Sequence, residues 1–268
     1  MGIERGKRTR RLFGAGAAIA AVAIVGVGAA QGELTREGNL IVSLKGDILP
    51  RALPRNALAP VRVRVEGEVR TANGARPPEL RRLAIALNRQ GKLYSRGLPR
   101  CTAGELQQTS TLAALDACGG ALVGRGRFKA NVELPTLTPF PAKGRLLAFN
   151  ARRGGRQAIL IHIHGKSPTP LTFILPLTVG RKKDGTFGTL LSARLPRIAS
   201  ELGYVTSVSF TIGRRYRHAG RARSFLSASC AAPAGFPGAI FPFARGTFAF
   251  SNGQKLSTSL IRDCRVRR

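Results

Sequence analysis

Val61-Arg62-Val63-Arg64-Val65-Glu66-Gly67-Glu68-Val69-Arg70 decides the fold class of this 268-residue chain. Valines recur at every second position and charged residues fill the positions between. A period of two places the valines on one face of an extended strand and the charges on the other, as in a half-buried antiparallel strand. Asn73-Gly74 supplies a turn signal after it, and Pro77-Pro78 blocks any helical continuation.

Working outward, strand-like patterns start at Asn39 and recur at 80–87, 121–134, 144–150, 156–164, 171–180, 187–195, 204–214, 223–230, 245–251 and 256–264. Most are rich in β-branched residues and Phe and are bounded by Gly, Pro or Asn. Roughly a dozen strands without a βαβ rhythm predict an all-β protein, an antiparallel sandwich or a barrel-like sheet. Gly126-Arg127-Phe128-Lys129-Ala130 and Gly246-Thr247-Phe248-Ala249-Phe250 hint at related halves but are too short to define a repeat. Residues 39–268 are read as one basic domain, with a possible division near Pro135–Pro141 and a linker at 31–38.

The one helical stretch is 102–117, where Thr102 and Glu105 form a T-x-x-E capping box. Cys101 and Cys118 bracket it. A straight helix of that length separates its ends by roughly 24 Å, whereas a disulfide needs Cα atoms roughly 4.4–6.8 Å apart. If these cysteines pair, the segment folds back as short helices near 103–108 and 111–117, hinged at Thr109-Ser110. Four cysteines permit three connectivities; the reading adopted joins Cys101 to Cys118 and Cys230 to Cys264.

The N-terminus addresses compartment. Arg5, Lys7, Arg8, Arg10 and Arg11 precede an uncharged run from Leu12 to Ala30, which closes on Gly28-Ala29-Ala30. A basic head, an apolar middle and small exit residues predict an export signal over 1–30, or a retained membrane anchor through 12–30. Thr9-Arg10-Arg11-Leu12-Phe13 resembles the core of a twin-arginine signal, although Gly14 departs from that pattern and the ordinary secretory route is the alternative. Either outcome places the domain outside the cytoplasm, in a secreted or cell-envelope setting where disulfides persist.

The chain carries 44 Lys+Arg against 13 Asp+Glu, and without residues 1–30 the balance is 39 against 12, or +27. Such a body attracts polyanions over a Debye length of roughly 8–10 Å. Outside the cytoplasm the expected partner is an anionic cell-wall polymer or membrane surface, and no intracellular nucleic acid is expected. No Lys/Arg block after residue 30 exceeds three, which predicts a diffuse field and not a shaped groove. The absence of Trp and the presence of only three Tyr disfavour an aromatic sugar platform.

Chemistry-bearing motifs are few. His162-Ile163-His164 points two imidazoles to one side of a strand, a weak candidate metal pair that needs a third ligand. Gly155 before it is similar to the cupin pattern, without that motif's Glu, and multicopper oxidases repeat His-x-His where this chain has it once. Glu66 and Glu68 share their face with Arg62, Arg64 and Arg70, which predicts a solvated ion-pair ladder. The chain lacks G-x-S-x-G, a P-loop and H-E-x-x-H, so no catalytic residue and no cofactor is assigned. Phe236-Pro237-Gly238-Ala239-Ile240-Phe241-Pro242-Phe243 is read as a crossover loop folded over an open end of the sheet, or as a hydrophobic lip.

Cys101–Cys118, then Ala121-Leu122-Val123-Gly124, then the Cys230-to-Cys264 ending resemble exported proteins of unknown function from GC-rich bacteria. That resemblance implies secretion and disulfides and brings no activity. The leading functional expectation is a non-enzymatic envelope protein held to anionic surfaces by distributed Arg. An exported hydrolase or metal-dependent enzyme using His162 and His164 is the second, and a subunit of a surface assembly the third.

Overall fold

The structure is a computed structural model that describes residues 33–134, 137–166, 170–182, 184–196 and 203–267. Residues 1–30, expected as an export signal or membrane anchor, lie outside the described residues. The first strands are β1 (Glu33–Glu37), β2 (Leu40–Leu49), β3 (Ala52–Leu53), β4 (Ala59–Pro60) and β5 (Arg62–Thr71). Next come β6 (Leu80–Asn88), β7 (Gly91–Leu93), helices α1 (Ala103–Leu106) and α2 (Thr111–Cys118), and a 3-10 turn at Gly119–Ala121. The long central strands are β8 (Leu122–Leu134), β9 (Leu137–Arg153), β10 (Arg156–Gly165), β11 (Leu171–Arg181), β12 (Phe187–Arg194) and β13 (Gly203–Ile212). The chain ends in β14 (Arg215–His218), β15 (Arg221–Ser224), β16 (Leu226–Ala228), β17 (Gly238–Phe250) and β18 (Lys255–Val266).

Thirteen of these strands make one sheet in the order β1-β2-β5-β13-β8-β9-β10-β11-β12-β6-β17-β18-β3, antiparallel except where β18 meets β3. Its two ends come together. Thr35 Oγ1 donates to the Ser257 carbonyl (3.3 Å), the Ile261 amide donates to the Glu33 carboxylate (2.6 Å), and Gln254 Nε2 donates to the Glu37 carbonyl (3.0 Å). The buried Arg262 adds a bond from Nε to the Gly46 carbonyl on β2. The all-β expectation therefore resolves to a single curled, barrel-like sheet and not a two-sheet sandwich. Register shifts at Val123, Thr206 and Phe243 each insert an extra residue, which bends a strand and increases its twist.

The β5 pattern reads out as expected, with Arg62, Arg64, Glu66, Glu68 and Arg70 exposed and the valines turned inward. Facing them inside are Ile48, Phe210, Ala148, Ile159, Leu177, Leu191, Phe243 and Leu260. Phe210 lies where a Cβ on Gly126 would stand, and Phe128 where one on Gly144 would, so these glycines make room for rings inside the sheet. Gly246 and Phe248 repeat that inward Gly-x-Phe placement on β17, but within the same sheet, so the two pentapeptides do not mark separate halves.

One end of the barrel is plugged by the small sheet β4-β16-β7, whose Ala59, Leu93, Leu226 and Ala228 join the core together with the wholly buried Leu53 and Phe225. The Cys230–Cys264 disulfide ties the plug to β18.

Three boundaries differ from the sequence reading. Residues 33–37, assigned to a linker, form β1 by pairing with β2, a contact that four polar residues around a single Leu34 do not announce. Residues 137–141, where a division was expected, are the start of β9 and pair with β8 across the hairpin. Residues 238–243, expected as loop, begin β17; Pro242 is tolerated because it sits beside the Phe243 bulge, where ladder bonding is already interrupted.

Candidate functional site

The segment between Cys101 and Cys118 folds back as predicted, and the disulfide closes it with Cα atoms 5.6 Å apart. Thr102 and Glu105 form the capping box, Glu105 Oε2 accepting from the Thr102 amide (2.7 Å), and Ser110 caps α2 through the Ala113 amide (3.2 Å). The Thr102 hydroxyl and then the Thr102 amide, both donating to Glu105 Oε2, hold the Glu105 carboxyl below the usual carboxylate range. The two helices form a lid on the outer face of β9 and β10, with Leu106 and Ala114 packed on Leu147, Phe149, Ala158 and Leu160.

His162 and His164 lie beneath this lid. His162 is wholly buried and directs Nε2 at the Thr109 carbonyl (3.0 Å), with Thr109 Oγ1 at 3.1 Å. Thr172 Oγ1 donates to the same carbonyl (2.8 Å) and therefore accepts from His164 Nδ1 (3.0 Å). Both lone pairs of the hinge carbonyl are thus engaged. Burial pushes both imidazoles below the ordinary histidine range, with the neighbouring His164 depressing His162 and Lys166 depressing His164. The pair is a fastening for the hinge at Thr109.

Among the described residues no third ligand joins it. His218 sits on β14 with its ring against Gly97, whose φ of +82° brings the backbone close. Among the described residues, the one grouping of three ligand types is Cys101, Glu105 and Cys118, whose sulfurs are joined to each other. A cleft of about 360 Å³ at the plugged end is lined by Asn88, Arg89, Gln90, Thr186, Ser229 and Phe241. Ser229 Oγ donates to Gln90 Oε1 (2.8 Å) and the Gln90 backbone amide donates to Asn88 Oδ1 (2.9 Å), and among the described residues no carboxylate or histidine lines it.

The feature that sequence reading missed is a cationic platform on the outer face of the β8–β9 hairpin. Register puts Arg127 directly opposite Arg145 and Lys129 directly opposite Lys143, with Arg125 next along β8, all exposed. Side chains on one face recur about every 6.8 Å along a strand and about 4.8 Å across strands, so these five cations form two parallel rows. On one flank β13 presents Ser209 beside Arg127, Ser207 beside Lys129 and Thr211 beside Arg125. Beyond β13 come Glu66 and Glu68 on β5, paired with those serines. On the other flank His164 pairs with Arg145, and Lys166 follows one residue after the Gly144–Gly165 pair.

Like charges placed directly opposite each other destabilise a sheet, and none of the five has a carboxylate within ion-pair distance among the described residues. The available signal was the alternation Arg-x-Arg-x-Lys at 125–129 and Lys-x-Arg at 143–145. It becomes a platform only once β8 and β9 are known to be hairpin partners.

A second cationic element is the β14–β15 hairpin, with Arg215, Arg217 and Arg221 exposed. Tyr216 donates to the Arg96 carbonyl (2.9 Å), and Arg223 stacks over the Tyr94 ring (5.4 Å), fixing the hairpin on the 94–97 loop. Arg214 Nη1 reaches the carbonyls of Gly119 (3.2 Å), Gly120 (2.6 Å) and Leu122 (2.9 Å), joining its base to the end of α2.

In the 236–243 region Phe243 is buried, whereas Phe236 and Ile240 remain exposed. No helix among the described residues is long and apolar enough to cross a membrane. No family model, no curated protein and no solved structure matches this chain.

Proposed function

We propose that this is a non-enzymatic, extracytoplasmic β-barrel-like protein that associates electrostatically with anionic surface polymers or lipid headgroups. The observation that carries the reading is the pair of opposed, uncompensated like-charge contacts, Arg127–Arg145 and Lys129–Lys143, on an open sheet face. Such contacts cost stability in the free protein, and a bound polyanion reverses their sign. Both disulfides are compatible with an oxidising compartment. The histidine pair does not favour an enzyme, since its coordinating nitrogens are engaged by a structural carbonyl and hydroxyl or lack any neighbouring ligand.

The test is retention on anionic liposomes and on purified wall polymer across a salt series. Retention that falls steeply between about 50 mM and 200 mM salt supports the reading, because released counterions drive such binding. Retention unchanged by salt would falsify it.

A further inference from the structure

We infer that the β8–β9 platform is a binding track for a linear phosphodiester polymer whose charges lie in its own backbone. This deepens the proposed function and rests on it. The track is bounded on one flank and at one end. Glu66 and Glu68 repel an anion one strand beyond the hydroxyls of Ser209 and Ser207, whereas beyond Thr211 stands Arg64. Where Arg125 pairs with Leu147, the lid of α1 and α2 covers the neighbouring β9 and β10 face and closes that end. An anionic chain is thereby steered along the hairpin, over the two strands that carry the opposed cations.

The width selects the class of ligand. Two rows of cations about 4.8 Å apart can straddle a tetrahedral phosphate, whose two free oxygens point to opposite sides of the chain. Arg127 and Arg145 supply planar forks to those oxygens, and the serine and threonine hydroxyls supply neutral donors along one edge. A polymer that carries carboxylates as pendants on sugar rings sets its charges off its axis and does not fit this strip. A membrane fits less well still. Of the large exposed apolar residues, Phe236, Ile240, Ile261 and Leu34 lie elsewhere, Val205 stands on the flanking β13 and Leu171 on β11, and none of them lies on β8 or β9. No aromatic ring faces outward between the two cation rows to stack on bases or sugars, since Phe128 points inward over Gly144.

The experiment compares three forms of the full protein by titration calorimetry with poly(glycerol phosphate), with polyglutamate and with vesicles of phosphatidylglycerol in phosphatidylcholine. The platform variant carries Arg127→Gln, Lys129→Gln, Lys143→Gln and Arg145→Gln. The control carries Arg152→Gln, Arg153→Gln, Arg215→Gln and Arg217→Gln, an equal loss of charge at other exposed sites. At about 50 mM salt the platform variant should bind poly(glycerol phosphate) at least roughly tenfold more weakly, with the slope of log K against log salt reduced by about 3. The control should stay within about threefold of the native protein with its slope unchanged, since it loses only long-range field.

Equal losses in both variants would overturn the track and leave the wider electrostatic reading standing. Tighter binding of polyglutamate or vesicles than of the phosphodiester chain would overturn the ligand class. No binding of the native protein to any of the three probes would remove the wider reading itself. Unchanged folding of the platform variant is checked by its melting temperature, and Lys129→Arg with Lys143→Arg, which keeps the charges, should retain binding.

Discussion

Lys129→Gln with Arg145→Gln removes one member of each opposed pair on the β8–β9 hairpin and should make the free protein more stable. Exposed Lys and Arg ends bend apart, so we place each pair of charges at about 8 Å, where Coulomb's law in water gives roughly 0.5 kcal/mol of repulsion. Two pairs then sum to about 1 kcal/mol at low ionic strength, within the range of about 0.2–1 kcal/mol for a cross-strand pair. For a chain of this size 1 kcal/mol corresponds to a rise of about 2–4 °C in Tm. Circular dichroism melts at about 0.01 M and about 1 M salt isolate the charge contribution, because the Debye length shrinks from about 30 Å to about 3 Å between them. The gain should be present at low salt and vanish at high salt, while any difference in strand propensity between Gln and the native residues persists in both. A variant less stable than the native protein at low salt, or a gain that survives at high salt, would refute the claim that these charges oppose each other at a cost. Saturating poly(glycerol phosphate), at about 100 times the native Kd, should offset that gain by adding about 2.7 kcal/mol to the native protein against about 1.4 kcal/mol to a variant that binds about tenfold more weakly.

Other consequences follow from the interior and the lid. Cys101→Ala with Cys118→Ala should cost about 3 kcal/mol and Cys230→Ala with Cys264→Ala about 4 kcal/mol, from loops of 17 and 34 residues, measured by guanidinium unfolding; a reversed order would count against loop entropy as the cause. Burial lowers the native pKa of His162 and His164 below the unfolded value of about 6.5, so stability is full above that pH and falls as pH drops through the native values, where the unfolded chain binds more protons. In His162→Gln, whose amide can still donate to the Thr109 carbonyl, the loss between pH 8 and about 5.5 should be smaller than in the native protein; an identical loss would show that the carboxylates alone set the acid limb. Gly126→Ala should cost about 1–3 kcal/mol by driving a methyl into the Phe210 ring and the Ser209 carbonyl, and Phe210→Leu should recover part of it only if the ring is the obstacle.

The lid was legible because its signals are local. Thr102 and Glu105 cap one helix three residues apart, Ser110 starts the next, and the two cysteines cannot meet unless the segment turns between them. The strands were legible for the same reason: β5 declares its buried face through a period of two that any reader of residues 61–70 can see. At β1 this logic fails, since Glu-Leu-Thr-Arg-Glu has no buried face of its own and becomes a strand only by bonding to β2. It fails again at 238–243, where Pro242, with Pro237 just before, argues for a loop and only the bulge at Phe243 shows how the strand accommodates Pro242.

From residues alone, then, come the β class, the two covalent staples, the folded-back helices and the large positive charge, all properties carried by neighbours in the chain or by sums over it. Tertiary structure decided what stands opposite what: that the sheet curls until β18 meets β1 and β2, that His162 bonds the hinge carbonyl of Thr109, and that Arg127 faces Arg145 while Lys129 faces Lys143. The physical reason is that pairing register is set by the packing of the whole sheet, and electrostatic meaning depends on distances across strands that no spacing along one strand contains.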